Sequence, residues 1–214
     1  MFVLSLLASI GLFTPPTSWQ AVKSKDTSEH VQVGFVGKGS SEYRPSLSLA
    51  TEVVDCTLKE YIKSVKAIHL EDPANQWHDL GNIQMKAGKG RLVKISSGSP
   101  WGDLAILQAI FVQDKTAYIL TAGALKDDLA LLQKEILDAF RSFDIQPDLF
   151  ASIDDEALRS KLKATFENLG KQASESEWAN LQTLIEQETS QLGSYWQYLA
   201  LKSGYTKIHK QGAQ

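Results

Sequence analysis

The sequence predicts an α+β protein whose carboxy-terminal part is helical, and two observations lead to this prediction. Residues 14 to 145 alternate between runs with the period of two that is typical of β-strands and two runs with helical spacing. Residues 152 to 214 have a helical pattern almost throughout. Pro147 lies between these regions and marks a junction, because proline cannot continue a helix. We therefore expect an apolar amino-terminal segment at 1–13, an α/β region at 14–146 and a helical hairpin at 147–214.

Three strands are expected before the first helix. A short strand is predicted around Trp19 to Lys23, and two longer strands at His30 to Lys38 and Ser46 to Val54. The longer two alternate apolar residues with others, which is the pattern of a half-buried strand.

The first helix is predicted from its start signal. Thr57 and Glu60 form a capping box, in which Thr57 is the N-cap residue and Glu60 the third helical residue. The helix ends before Pro73. Its apolar stripe comprises Leu58, Tyr61, Ile62, Val65 and Ile68.

Four more strands and a second helix complete the first region. The strands are predicted at 77–86, 91–96, 103–113 and 116–121. Gly88 to Gly90 is interpreted as the link between the first two, and Asp114-Lys115 as a tight hairpin between the last two. The run from Leu104 to Val112 is almost continuously apolar, so this strand should be covered on both faces. The helix that follows is expected from Asp127 to Phe143.

Two amphipathic helices are predicted in the carboxy-terminal region. One runs from about Asp154 to Leu169, and the other starts at a capping box at Ser174 to Glu177 and runs toward Gly204. Two helices cannot hide all their apolar side chains against each other, so we expect the hairpin to dock on the first region.

The order of elements in residues 14 to 145 resembles that of the PsbP/Mog-like superfamily. The pieces that carry the resemblance are Pro15 to Trp19, Thr57 to Tyr61 and Ala117 to Gly123. The resemblance implies an antiparallel sheet sandwiched between helices, and the helical hairpin lies outside the family pattern. It also implies a non-enzymatic role, since members include assembly subunits of a photosystem, binders of a small GTPase, envelope proteins and chaperones of secreted effectors. No family site motif matches residue by residue.

Composition excludes several classes of protein. The chain of 214 residues has a formal net charge of -3 and a single cysteine, Cys56. A broad nucleic-acid footprint would need a basic surface, and a disulfide scaffold would need more cysteines. The apolar run from Phe2 to Phe13 is too short to cross a membrane, and no other run of this kind follows.

The same apolar run has the length of a signal-peptide core, but no Lys or Arg precedes it, the first being Lys23. We expect an exported or periplasmic protein, with a cytoplasmic one as the alternative. In the alternative case the run is an amino-terminal strand or packing arm.

Histidine and carboxylate residues are concentrated between the first helix and the next strand. His69, Glu71, Asp72, His78 and Asp79 are residue types that bind divalent metals. Their spacing matches no helix-face pair, so we predict neither metal nor cofactor. A metal-dependent hydrolase using this region is retained as the less favoured alternative.

Two glycine-containing loops are interpreted as turns. Gly37 to Glu42 begins like a dinucleotide-binding loop, but Glu42 takes the place of the third glycine. Gly98 to Gly102 places Ser99 in the wrong register for a nucleophile elbow. Neither loop predicts catalysis.

The sequence therefore predicts a non-enzymatic protein-binding or assembly module that contacts a protein partner. The alternative is a chaperone that cradles apolar helices of a secreted partner. Large aromatic residues are enriched at the centres of protein interfaces. The candidate contact residues are Trp77, Trp101, Tyr195, Trp196 and Tyr198, although Tyr195 and Trp196 also suit the core of the hairpin.

Overall fold

The computed structural model describes residues 9–22, 31–40, 42–169 and 175–209, and these form two compact units. The larger unit comprises the described part of Pro15–Asp144. The other combines the described residues up to Thr14 with those from Ile145 onward. We describe each unit separately.

The strands and helices have the following bounds. The strands are β1 Ile10–Leu12, β2 Gln20–Ala21, β3 Val31–Val36, β4 Ser46–Val53, β5 Gln76–Met85, β6 Gly88–Ser99, β7 Gly102–Gln113, β8 Thr116–Leu125 and β9 Asp144–Gln146. The helices are α1 Leu58–His69, α2 Lys126–Arg141, α3 Glu156–Asn168, α4 Glu175–Glu188 and α5 Gly193–His209.

The larger unit is built on a seven-stranded sheet in the order β2-β3-β4-β8-β7-β6-β5, and neighbouring strands are antiparallel throughout. Alternate side chains of β7 point to opposite faces. Ile110 packs in a cluster with Tyr61 of α1, whereas the ring of Phe111 lies 6.2 Å from that of Phe143, just after α2. The predicted antiparallel sheet between helices, followed by helices at the carboxy terminus, is confirmed.

The start of α1 is the capping box that the sequence predicts. The Thr57 hydroxyl accepts a hydrogen bond from the backbone N–H of Glu60, and the Glu60 carboxylate accepts one from the backbone N–H of Thr57. Tyr61 is the buried member of the predicted stripe, while Ile68 at its far end is 64% exposed. The helix therefore covers the sheet only along part of its stripe.

The turn predicted at Gly88 to Gly90 is wrong, because these residues begin β6. The connection is Lys86-Ala87, and Gly88 already pairs with Met85. Gly90 is required by packing, since a Cβ there would lie 2.7 Å from the carbonyl oxygen of Ile110. The Asp114-Lys115 hairpin is confirmed, and both residues have the positive φ that a tight type I′ turn needs.

Several predicted strand ends differ from the observed ones. β8 continues to Leu125 rather than ending at Thr121, because Ala122 and Ala124 are also buried partners of β7. Lys23 and His30, at the ends of two predicted strands, lie outside the described residues.

The outer edge of β5 is irregular. The pairing of β5 with β6 shifts between Asp79 and Gly81, which is a β-bulge, and Gly81 has a φ of +97°. The Asp79 carboxylate accepts hydrogen bonds from the Gly81 backbone N–H and from the Arg91 guanidinium, the latter at 2.6 Å. The bulge is thus held by side chains of the same hairpin.

Among the described residues, the carboxy-terminal unit has three α-helices where two helices were predicted. The second predicted helix is interrupted after Glu188 by Thr189 and a short 3-10 turn. The buried Thr189 hydroxyl donates to the Ile185 carbonyl, and Gly193 adopts a φ of +82° that other residues avoid. Gly204, expected near the end, lies inside α5, while Ser174 of the predicted capping box is outside the described residues.

The amino-terminal segment belongs to this second unit. Strand β1 pairs with β9 in a two-stranded sheet. Leu12 and Phe13 are buried, and the Phe13 ring centroid lies 5.1 Å from that of Tyr195 in α5. Residues 10 to 13 are therefore part of a packed core in the structure.

Candidate binding groove beside the first helix

A groove of about 500 Å³ lies beside α1 on the face of the sheet that this helix covers. It exists because α1 packs on β6 and β7, while β3, β4 and β8 continue the sheet beyond the helix. One wall is formed by Val65 and Ile68 of α1. The groove thus joins the exposed Ile68 and the half-buried Val65 of the helix to the surface of the sheet.

The floor of the groove is a row of side chains from neighbouring strands. Val31 of β3 is opposite Ala50 of β4, and Ala50 is opposite Ile119 of β8. All three line the groove. Their common face follows from the antiparallel register, because residues directly opposite each other in a sheet point to the same side.

Polar groups are placed at defined points of this apolar surface. The Tyr61 phenol donates a 2.7 Å hydrogen bond to the exposed carboxylate of Glu52. The Gln108 amide donates to the Thr121 hydroxyl at 3.3 Å. The carboxamide oxygen of Gln108 is buried, and the imidazole of His69 is the neighbouring polar group that acts on it.

Burial changes the acidity of two groups in the groove. Burial, and then the hydrogen bond to Glu52, raises the pKa of Tyr61 above its usual range. Burial lowers the pKa of His69, and the nearby Gln108 carboxamide offsets part of this effect. Tyr61 is therefore a hydrogen-bonding phenol and His69 favours the neutral form near pH 7, which suits binding of an apolar molecule.

The predicted contact residues Trp77 and Trp101 lie at different places in the larger unit. Trp77 is half-buried, packs against the cluster below α1 and has its ring centroid 5.9 Å from that of His69. Trp101 is 55% exposed in the turn between β6 and β7, and its ring lies 5.7 Å from that of Tyr43. Trp101 is therefore the more accessible of the two.

The other three predicted contact residues lie on α5. Tyr195 and Trp196 are each 2% exposed. The Trp196 indole donates a 2.7 Å hydrogen bond to the carbonyl of Leu149, and Tyr195 contacts Phe13. Tyr198 is half-buried beside Lys202, whose ammonium lies 5.8 Å from the centre of its ring. Partner contact through Tyr195 or Trp196 would require this unit to open.

The histidines considered for metal binding are not brought together. Trp77 and His78 are successive residues of β5, so their side chains lie on opposite faces of the sheet. His69 lines the groove beside α1, and His78 lines a separate cavity. Asp79 is paired with Arg91. Among the residues that the structure describes, no three His, Cys, Asp or Glu side chains form a group that could hold a metal ion.

The glycine-containing loops are structural where they are described. The buried Asp128 at the start of α2 accepts a hydrogen bond from the Ser40 backbone N–H, and Arg44 donates to the Gly37 carbonyl. The Ser99 hydroxyl donates to the Gly102 carbonyl and closes the turn between β6 and β7. The turn interpretation of Gly98 to Gly102 is confirmed.

Sequence reasoning did not find the groove. Glu52 and Gln108 are ordinary strand residues in the sequence, and no motif distinguishes them. The apolar stripe of α1 was the one available signal, because its last member, Ile68, lies beyond the part of the helix that covers the sheet.

No protein-family model matches the chain, and no curated protein matches it. Solved structures do match. LpqN of Mycobacterium tuberculosis, described as involved in cell envelope biogenesis, is 14% identical with a TM-score of 0.51, covering 65% of this chain and 85% of LpqN.

Two further solved structures match the chain. Cyanobacterial PsbP from Synechocystis is 12% identical with a TM-score of 0.44, covering 68% of this chain and 96% of that protein. The Ran-binding protein Mog1p of Saccharomyces cerevisiae is 14% identical with a TM-score of 0.43, covering 63% of this chain and 94% of Mog1p. The structure itself has the antiparallel sheet between helices that the sequence predicts. These likenesses concern the fold alone.

Within the described ranges, every helix is too short or too polar to cross a bilayer.

Proposed function

We propose that the chain is a non-enzymatic module that binds a protein partner through the groove beside α1. The observation that carries the proposal is that the 64% exposed Ile68 borders a groove whose floor is formed by Val31, Ala50 and Ile119. A partner segment that covers this apolar surface removes it from water, which favours binding.

The groove also defines the chemistry of its partner segment. Val65, Ile68 and Ile119 line the groove and are complementary to apolar side chains of a partner. Glu52 is exposed at the rim, where a Lys or Arg of the partner would find an opposite charge. We therefore propose a partner segment with two or three apolar side chains flanked by a basic residue.

A chaperone that cradles whole apolar helices is the second candidate, and the lining of the groove argues against it. Polar side chains line the groove as well, namely Glu52, Ser64, His69, Gln108 and Thr121. A helix that is apolar all round would cover these polar groups without giving them hydrogen-bond partners. The groove suits a segment with one apolar face better than such a helix.

Site-specific crosslinking tests the proposal. A photo-crosslinking amino acid at position 68 should capture one partner in cells, and the same amino acid at position 131 should not. Leu131 is the matched control because it is an exposed apolar residue on α2, at 81% exposure. Ile68→Asp should abolish co-purification of that partner, whereas Leu131→Asp should preserve it. Equal capture from both positions would contradict the proposal.

The compartment is a separate part of the proposal. We propose export, in keeping with the length of the apolar run from Phe2 to Phe13. Cleavage after Phe13 would remove β1 and the buried Leu12 and Phe13. Any processing compatible with this fold therefore occurs before Ile10. Sequencing the amino terminus of the native protein tests this, and a mature start after Phe13 would contradict it.

A further inference from the structure

A second cavity, of about 430 Å³, lies on the opposite face of the sheet from the groove. His78 of β5 is directly opposite Lys94 of β6, and Gln76 is opposite Ser96. These four polar side chains form a cross-strand group on one face. Lys126, the first residue of α2, also lines the cavity.

The cavity is cationic although the chain carries a net charge of -3. Lys94 and Lys126 form no ion pair with any described residue. Other described lysines also lack an ion pair, as Lys59 and Lys63 do, and Lys94 and Lys126 differ from these because they line one cavity together. Two like charges that share a cavity repel each other, and a bound anion would remove that repulsion.

Neutral hydrogen-bonding groups surround these charges. Gln76, Ser96 and Ser97 line the cavity beside the lysines and can donate to an anion. Asp103 is the single carboxylate among the lining residues. It can accept hydrogen bonds from hydroxyl groups of a ligand, and it repels a second anionic group.

We propose that this cavity binds the phosphate group of a small, soluble phosphorylated polyol. A phosphate monoester carries close to two negative charges at neutral pH. This charge complements the two lysines better than the single charge of a carboxylate ligand would. The volume lies in the range of small-molecule sites and leaves room for an uncharged polar part beside Asp103. This inference does not depend on the groove beside α1.

The test is a titration of the full chain with inorganic phosphate and with glycerol 3-phosphate, followed by amide NMR. We expect saturable shifts at Ser96, Ser97 and Gly98, with tighter binding of glycerol 3-phosphate. The variant Lys94→Gln with Lys126→Gln should bind at least about tenfold more weakly, which corresponds to about 1.4 kcal/mol. The charge-matched control is Lys59→Gln with Lys63→Gln on α1, which should bind like the parent.

Three outcomes would overturn the proposal. The first is the absence of saturable shifts with either probe. The second is equal weakening in both double variants, which indicates nonspecific attraction to positive charge. The third is that the protein sediments with phosphatidic acid vesicles but gives no NMR shifts with glycerol 3-phosphate. In that case the phosphate group that the cavity recognises would belong to a lipid surface. If the Lys94→Gln, Lys126→Gln double variant does not fold, the single variant Lys126→Gln replaces it, because Lys126 is exposed at the start of α2.

Discussion

The phenol of Tyr61 on α1 donates a 2.7 Å hydrogen bond to the carboxylate of Glu52 on β4. The bond joins the helix to a strand beyond those on which it packs, and it stands at the border of the groove. Tyr61→Phe should lower the free energy of unfolding by about 0.5–1.5 kcal/mol, since the exposed Glu52 is hydrated once the phenol is gone. Urea denaturation at pH 7 measures this, and a loss above about 3 kcal/mol would indicate that the ring has moved.

The buried phenols of Tyr61 and Tyr195 should make the free energy of unfolding depend on pH in the alkaline range. Burial raises the pKa of both Tyr61 and Tyr195, with smaller contributions from Glu52 and Tyr198, respectively. Above about pH 10 the unfolded chain releases these protons while the folded chain retains them. The free energy of unfolding should therefore be constant with respect to these groups below about pH 10 and fall above it.

Tyr61→Phe should flatten that alkaline decline, because the variant has no phenol at position 61 to ionise. Denaturant titrations of parent and variant between about pH 8 and pH 11 provide the comparison. Parallel curves for the two proteins would show that Tyr61 ionises equally in both states.

Trp196 should be a major contributor to the stability of the carboxy-terminal unit. It is buried and donates to the Leu149 carbonyl. Trp196→Ala should cost about 3–5 kcal/mol, and Trp196→Phe about 1–3 kcal/mol because it leaves that carbonyl unsatisfied. Trp101→Ala is the matched control, since more than half of that side chain is exposed. A similar loss in the control would refute the assignment.

Whether the carboxy-terminal helices dock on residues 14–145 stays a prediction. Trp196→Ala also tests it, through the number of unfolding transitions. If the carboxy-terminal helices dock on residues 14–145, the variant should unfold in a single transition at a lower temperature than the parent protein. Two separate transitions, with the later one unchanged, would show that the units are independent.

Phe13 should be as important as a core residue although it lies near the amino terminus. Its ring is buried and stacks at an angle on Tyr195. Phe13→Ala should lower the free energy of unfolding by about 3–5 kcal/mol. Leu131→Ala, at a well exposed apolar side chain, should change it by less than about 0.5 kcal/mol. Equal values would mean that the amino-terminal segment contributes nothing to the fold.

The hairpin between β7 and β8 offers a stabilising substitution. Lys115 has a φ of +60°, which costs a residue with a side chain about 1–2 kcal/mol relative to glycine. Its ion pair with Asp55 is almost fully exposed and adds little. Lys115→Gly should therefore raise the free energy of unfolding by up to about 1 kcal/mol. Asp55→Ala, the control for the ion pair, should have almost no effect, and destabilisation by Lys115→Gly would contradict this account.

Local signals predicted local structure well. The capping box at Thr57 and the hairpin at Asp114-Lys115 depend on residues that are adjacent in the sequence. The turn at Gly88 to Gly90 failed because the reason for Gly90 is the carbonyl of Ile110, which no local pattern reveals. The break at Thr189 was missed because apolar spacing continues across it, from Ile185 into α5.

The groove could not be predicted, for a related reason. Its floor requires the register of β3, β4 and β8, which places Val31 and Ile119 in one row although they are far apart in the chain. The two histidines of the less favoured metal-dependent alternative show the opposite relationship. His69 and His78 are near in sequence, but the alternation of β5 directs His78 to the other face of the sheet.

The bulge at Asp79 and Gly81 has a consequence for how other chains can approach the sheet. An incoming strand needs an even row of backbone donors and acceptors along an open edge, and the shifted pairing of β5 interrupts that row. The ion pair of Asp79 and Arg91 adds hydrated charged groups at the same place. Sheet extension, which leads to polymer growth, is thus disfavoured at this border, and a partner gains more by contacting the broad faces.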